Sequence, residues 1–157
     1  MTEIDKILDK WINDRQKELV QQYDSLGLRA SGKFEKGLVN ETENQKTRLI
    51  DTYGHSLYMV NGRAPNKNQS PEKLKAWVGW AGSTFLKQWV DDKGLSVSPF
   101  AVAWKIAKSG VLVPNKNNSG KLMDIFTQNK FDNLGVEILN YEVKNIKSEI
   151  IKTWQQV

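Results

Sequence analysis

The chain has 157 residues, 23 Lys and Arg against 18 Asp and Glu, a formal net charge of +5 and no cysteine. That length favours one domain, 1–157, with a real core, and the missing cysteines exclude disulfide scaffolds, Cys-ligated zinc, iron–sulfur clusters and thiol nucleophiles. No apolar run approaches the roughly 18 residues of a membrane span, and the N-terminus lacks a signal-peptide pattern, so a soluble product made in the cytoplasm is expected, without membrane association.

Taken in chain order, the first segment reads as an amphipathic helix. Ile4, Ile7, Leu8, Trp11, Ile12, Leu19 and Tyr23 recur at three- and four-residue spacing, which gathers them on one face. Thr2 is placed to cap it, Asp5 lies near the positive end of its dipole, and Gly27 should stop it. Residues 33–42 and 46–53 read as two strands joined by the polar turn Glu43-Asn44-Gln45, a β-hairpin in which Gly37 marks a bulge or a close backbone approach. Residues 57–70 read as a loop. Ser70-Pro71-Glu72 is a helix start, with Leu74, Trp77, Val78 and Ala81 on its buried face. Gly79 and Gly82 weaken its continuity, so one interrupted helix or two short ones run to Lys93 and end at Gly94. Ser98-Pro99 opens another helix, closed by Gly110. A second polar loop spans 115–120, and a last helix runs from about residue 122 to 157, breaking near 129–132, with Leu134, Ile138, Leu139, Val143, Ile146, Ile150 and Trp154 as its apolar stripe. The expected class is α+β: a short antiparallel sheet (hairpin about 33–53) packed by N-terminal, central and C-terminal helices.

The positive charge is concentrated in the middle. Residues 1–60 carry 9 basic and 10 acidic side chains, residues 61–122 carry 10 and 3, and residues 123–157 carry 4 and 5. The central segment is therefore +7 between flanks of −1, a bias suited to phosphate, an acidic protein surface or plain solvent. It also holds Trp77, Trp80, Trp89 and Trp104. Aromatics interleaved with Lys and Arg suit a single-stranded nucleic-acid groove. The plainer reading makes Trp11, Trp77 and Trp104 core anchors and gives Trp80 and Trp89 to a subunit interface, where Trp is enriched.

Signals for catalysis are weak. Residues 27–33, G-L-R-A-S-G-K, approach a phosphate loop, but Phe34 stands where Ser or Thr must hold Mg²⁺ and the order of helix and strand is reversed. His55, the single histidine, lies near Asp51 and Ser56, yet no nucleophile elbow accompanies them. Asp91-Asp92 reads as a solvated pair rather than glycosidase carboxylates. The N-x-S/T matches at Asn40, Asn68 and Asn117 carry little weight without an export signal. No catalytic residue, metal ligand or cofactor is assigned. The loops 65–70 and 114–119 share a Pro-Asn-Lys-Asn wording that turn composition explains.

A resemblance emerges from motifs in sequence. Ala30-Ser31-Gly32-Lys33-Phe34 follows the first helix; then come Tyr58-Met59-Val60-Asn61-Gly62-Arg63-Ala64-Pro65-Asn66, Ser70-Pro71-Glu72-Lys73-Leu74-Lys75-Ala76-Trp77-Val78, Lys93-Gly94-Leu95, Ala101-Val102-Ala103-Trp104-Lys105-Ile106-Ala107 and Gly110-Val111. Over about residues 26–113 this resembles the neck and tail-completion (head–tail joining) proteins of tailed bacteriophages, in particular those of Bacteroidetes phages, including the crAss-like group. It differs in having Asn-Lys-Asn-Gln-Ser before the Trp helix, where a Pro-rich run is usual, and an added stretch at 78–89. The resemblance implies a non-enzymatic virion protein in the neck, forming a homo-oligomeric ring against portal, neck or tail proteins and near packaged DNA. It implies that Tyr58, Gly62, Arg63, Pro65, Trp80 and Trp89 meet neighbours, with Gly62 making a positive-φ turn and Arg63 presented to a partner's carboxylate. The C-terminal helix would be extended or ordered by assembly. A nucleic-acid-binding module built on 61–122 is the competing expectation, and a hydrolase centred on His55 a distant third.

Overall fold

A computed structural model of the chain describes residues 1–116 and 118–155; Asn117 with its N-x-S match, and the last two residues of the expected C-terminal helix, lie outside them. The described residues form seven α-helices, one 3₁₀ turn and a two-stranded antiparallel sheet, an α+β fold with a short hairpin.

Helix α1 (Glu3–Ser25) starts where the sequence indicates. The Thr2 hydroxyl accepts the Asp5 N–H, and the Asp5 carboxylate accepts the Thr2 N–H at 2.7 Å, a reciprocal capping box. Its apolar spacing buries Leu8, Ile12, Leu19 and Tyr23, and Gly27 takes a φ of +65° beyond its end.

The expected strand at 33–42 divides in two. Residues Lys33–Lys36 are one helical turn, α2, and only Leu38–Glu43 is strand β1. Phe34 and Leu38 lie four apart, so a helical turn followed by a strand start aims both into the same core, where they are 1% and 7% exposed. Gly37 belongs to the junction rather than to a strand bulge: its N–H bonds back to Lys33, and a Cβ there would meet the Tyr53 ring at 2.4 Å. The close approach expected at Gly37 is present; its partner is a side chain. Strand β2 (Lys46–Asp51) pairs from Leu38↔Asp51 to Glu43↔Lys46, leaving Asn44 and Gln45 as a two-residue turn with φ of +52° and +58°. That is the primed turn whose twist suits a hairpin, and Asp5 Oδ1 accepts the Gln45 N–H at 2.8 Å.

Residues expected in a loop form helix α3 (His55–Asn61), closed by Gly62. None of its side chains is fully buried, so it lacks the apolar periodicity that announces a helix. With α1, α2, the hairpin and Leu122 of the 3₁₀ turn (Lys121–Ile125), it surrounds a first apolar cluster of Leu19, Tyr23, Phe34, Leu38 and Leu122, with Met59 and Val60 packed against it.

Helices α4 (Pro71–Ser83), α5 (Phe85–Asp92) and α6 (Pro99–Ser109) build a second cluster around Val78, Ala81, Leu86, Ala103 and Ala107. The central helix breaks at Thr84 and not at either glycine. Thr84 leaves helical geometry (φ −116°, ψ −108°), and its hydroxyl donates to the Trp80 carbonyl at 2.7 Å. Gly82 has a packing role instead: a Cβ there would lie 2.5 Å from the Phe100 ring of α6. The two clusters share no residue.

Helix α7 (Gln128–Trp154) is continuous through 129–132; the interruption lies earlier, at Phe126 and Thr127, between the 3₁₀ turn and α7. Its first half runs antiparallel to α1. The Trp11 indole N–H donates to the Lys130 carbonyl at 3.3 Å, Trp11 packs on Phe131 with centroids 5.2 Å apart, Lys130 pairs with Glu18, and Tyr141 lies near Lys6. The expected single stripe is two faces. Leu134, Ile138 and Tyr141 are half-buried on the α1 side, whereas Val136, Leu139, Val143, Ile146 and Ile150 are exposed.

Candidate partner-binding surfaces

Three features could receive a partner: the crossing at Gly62 and Gly110, the cleft between the two apolar clusters, and the free part of α7.

The crossing is made by the exits of α3 and α6. Gly62 and Gly110 close these helices with φ of +70° and +68°, a region open to glycine. Just beyond, Arg63 and Val111 exchange both backbone hydrogen bonds, at 2.8 and 2.7 Å. The approach is reciprocal. A Cβ on Gly62 would stand 2.0 Å from the Val111 carbonyl oxygen, and one on Gly110 would stand 2.2 Å from the Arg63 oxygen, with Pro65 beside it. The positive-φ turn expected at Gly62 is therefore present, and Gly110 is its counterpart.

Arg63 is not presented outward as expected. Its guanidinium lies over the Trp77 ring, 4.1 Å from the centroid, and Nη2 donates to Asn66 Oδ1 at 2.9 Å. The planar cation finds its counterpart in the π face and the amide within the same chain. Nη1 and the Asn66 amide nitrogen are buried without a hydrogen-bond partner. Trp77 is thus a half-buried platform at the edge of the second cluster, as is Trp104, whose ring is approached by Lys108. Trp11 is likewise half-buried, between α1 and α7.

The cleft has a volume of about 960 Å³ and is lined by both halves of the molecule, including Leu28, Met59, Leu86, Val102, Ile106 and Val111. Tyr58 and Trp89 stand at it, 57% and 37% exposed. Trp80, 58% exposed, lies on the α4–α5 corner against Phe85, which also faces the cleft. Two lysines staple the halves: Lys33 donates to Gln88 Oε1 at 2.8 Å and Lys93 to the Gly27 carbonyl at 2.7 Å. Below them Arg29 is clamped by Asp24 and Glu35, which push its pKa further upward. Of the expected interface residues, the fold brings Tyr58 and Trp89 together at the cleft, sets Trp80 beside it, and uses Gly62, Arg63 and Pro65 internally.

The arrangement sketched for Asp51, His55 and Ser56 is not formed. Asp51 spends its oxygens on the N–H groups of Tyr53 (3.1 Å) and Ser56 (2.6 Å), and His55 packs on the Tyr53 ring. In the segment resembling a phosphate loop, Phe34 is core. Among the described residues no group of three or more His, Asp or Glu could hold a metal, and no helix is long and apolar enough to cross a membrane.

Sequence reasoning read Gly110 as the stop of its helix, which it is, but missed its close approach to Arg63 and the roles of Asn66 and the two stapling lysines, which act across the chain and leave no local signature. It also missed the regular spacing of the exposed residues on α7, which counting by sevens reveals. Comparison of the chain with family models, with curated proteins and with solved structures finds no match.

Proposed function

We propose that the chain is a structural, non-enzymatic subunit of a tailed-phage particle, a ring component of the neck that joins the head and portal to the tail. The motifs from Ala30 to Val111 suggest the family. The observation that carries the reading is the open cleft with Tyr58, Phe85 and Trp89, an adhesive surface distinct from the exposed face of α7. A ring closes through heterologous contacts, the cleft of each subunit meeting a different surface of the next, and monomers rarely leave such a surface open. The test is electron microscopy of the purified chain and of intact particles. Closed rings, and density for the chain at the head–tail junction, are expected; a chain absent from particles and never forming rings overturns the reading.

One observation favours nucleic acid as a second reading. In 61–122 only Lys87 is engaged in an ion pair among the described residues; Arg63 and Lys93 are held within the fold, and the other lysines are exposed and open to phosphate. Oligonucleotide binding that weakens steeply with salt supports this, and a flat titration of Trp fluorescence removes it.

A further inference from the structure

The second half of α7 stands clear of the body. Tyr141 lies near Lys6, within a turn of the start of α1, so the helix beyond it runs past α1. Every described residue from Val143 onward is exposed. An isolated stretch of helix in water should be polar, yet Val136, Leu139, Val143, Ile146 and Ile150 are between 41% and 62% exposed. Their spacing alternates three, four, three, four, the a and d positions of a heptad. Val136, Val143 and Ile150 occupy a; Leu139, Ile146 and Thr153 occupy d. The half-buried Leu134, Ile138 and Tyr141 fall at c and f, the opposite side of the helix, so docking on α1 leaves the a/d seam uncovered.

We infer that this seam, Val136 to Thr153, pairs in parallel and in register with the same segment of a second copy of the chain. The flanking charges select this occupant and direction. Glu142 lies at g and Lys147 at the following e, five residues on, which is the spacing that faces g to e′ in a parallel coil. Neither has an ion-pair partner in the chain among the described residues, and a parallel pair satisfies both twice, Glu142 to Lys147 of the other copy in each direction. An antiparallel pair sets g against g′ and brings Glu142 and Glu149 of the two copies together. The cleft is a poorer host for the arm: it is lined by Lys33, Lys93 and Lys116 against Asp92, and the arm from Val143 to Gln155 carries Lys144, Lys147 and Lys152 against Glu149, so the two repel. The seam is short, about 27 Å, but α1 already holds the first half of α7 helical, which removes the nucleation cost that defeats short coils in isolation. The pairing does not rest on the neck assignment.

The test uses the full chain. Sedimentation should give a concentration-dependent dimer, and Ile146→Asp should weaken it by more than about tenfold by burying a charge in the seam. Ile146 is 58% exposed and lies beyond Tyr141, where α7 runs past the start of α1, so the circular dichroism and melting of the monomer should not change. Glu142→Lys should weaken pairing several-fold at low salt, and adding Lys147→Glu should restore it. Because the protein has no cysteine, Leu139→Cys and Thr153→Cys each report geometry alone: in a parallel in-register pair both oxidise to disulfide-linked dimers. A chain monomeric to about 100 µM, a dimer indifferent to Ile146→Asp, failure of the charge exchange to restore pairing, or a disulfide at only one of the two positions each overturns the inference.

Discussion

Asp5 is a single residue on which two elements depend. It accepts the N–H of Thr2 and then that of Gln45, so the cap of α1 and the hairpin turn share one carboxylate. These bonds, Thr2 first, hold its pKa below the ordinary 3.8. A lowered folded-state pKa contributes stability that is complete above the unfolded value and lost as pH falls through the folded one. Asp5→Asn should therefore lower the urea midpoint at neutral pH, and its deficit against wild type should shrink as the pH falls below 3.8; a deficit independent of pH contradicts the account. Thr2→Ala, which removes the reciprocal half of the cap, should cost about 1 kcal/mol. The cap was readable from Thr2 and Asp5 because it spans three residues. The bond to Gln45 spans forty and left no trace in the local pattern. Arg63 shows the same limit: a Gly-Arg-x-Pro loop reads as a presented cation, and only the fold reveals Trp77 beneath it.

At the scale of elements, the errors and successes have a common cause. Helices with both an apolar period and a punctuating end, such as α1, α4 and α6, were legible. The short helices α2 and α3 were not, because four to seven residues show no period and Phe34 with Leu38 fits a strand or a helical turn equally well. Glycine was over-read as a breaker: Gly82 is a contact point for Phe100, while Thr84 breaks the helix with its hydroxyl. Where glycine does decide is the crossing of α3 and α6. Gly62→Ala places a methyl against the Val111 carbonyl and strains a positive φ, so it should cost about 3 kcal/mol or more in thermal unfolding. Gly110→Ala should do the same, and the double variant should cost less than the two added together, since either change already parts the same pair of hydrogen bonds. Gly79→Ala, on the exposed side of α4 with nothing within 4 Å, should instead gain about 0.5–1 kcal/mol.

For the whole molecule, the α+β class was legible and the division of the core was not. Two apolar clusters without a common residue are joined by the Arg63–Val111 bridge and the Lys33 and Lys93 staples. Periodicity shows which residues are buried, and it does not show that they are buried in two places. Polar links of this kind transmit less cooperativity than a continuous core. Leu19→Ala, at a site 2% exposed, should cost about 3 kcal/mol and speed amide exchange in α1 and the hairpin well before α4–α6; equal acceleration throughout would show one cooperative unit.

The lysines of the central segment also govern how the molecule meets others. With +7 on residues 61–122 and −1 on each flank, and with those lysines largely outside ion pairs, the centre of charge is displaced toward α4–α6, giving the protein a permanent electric moment. Near an anionic surface it is turned before contact, over a range that salt shortens to about 10 Å at 0.1 M. Encounters then begin with the same end leading, and orientation is settled during approach rather than by trial after collision.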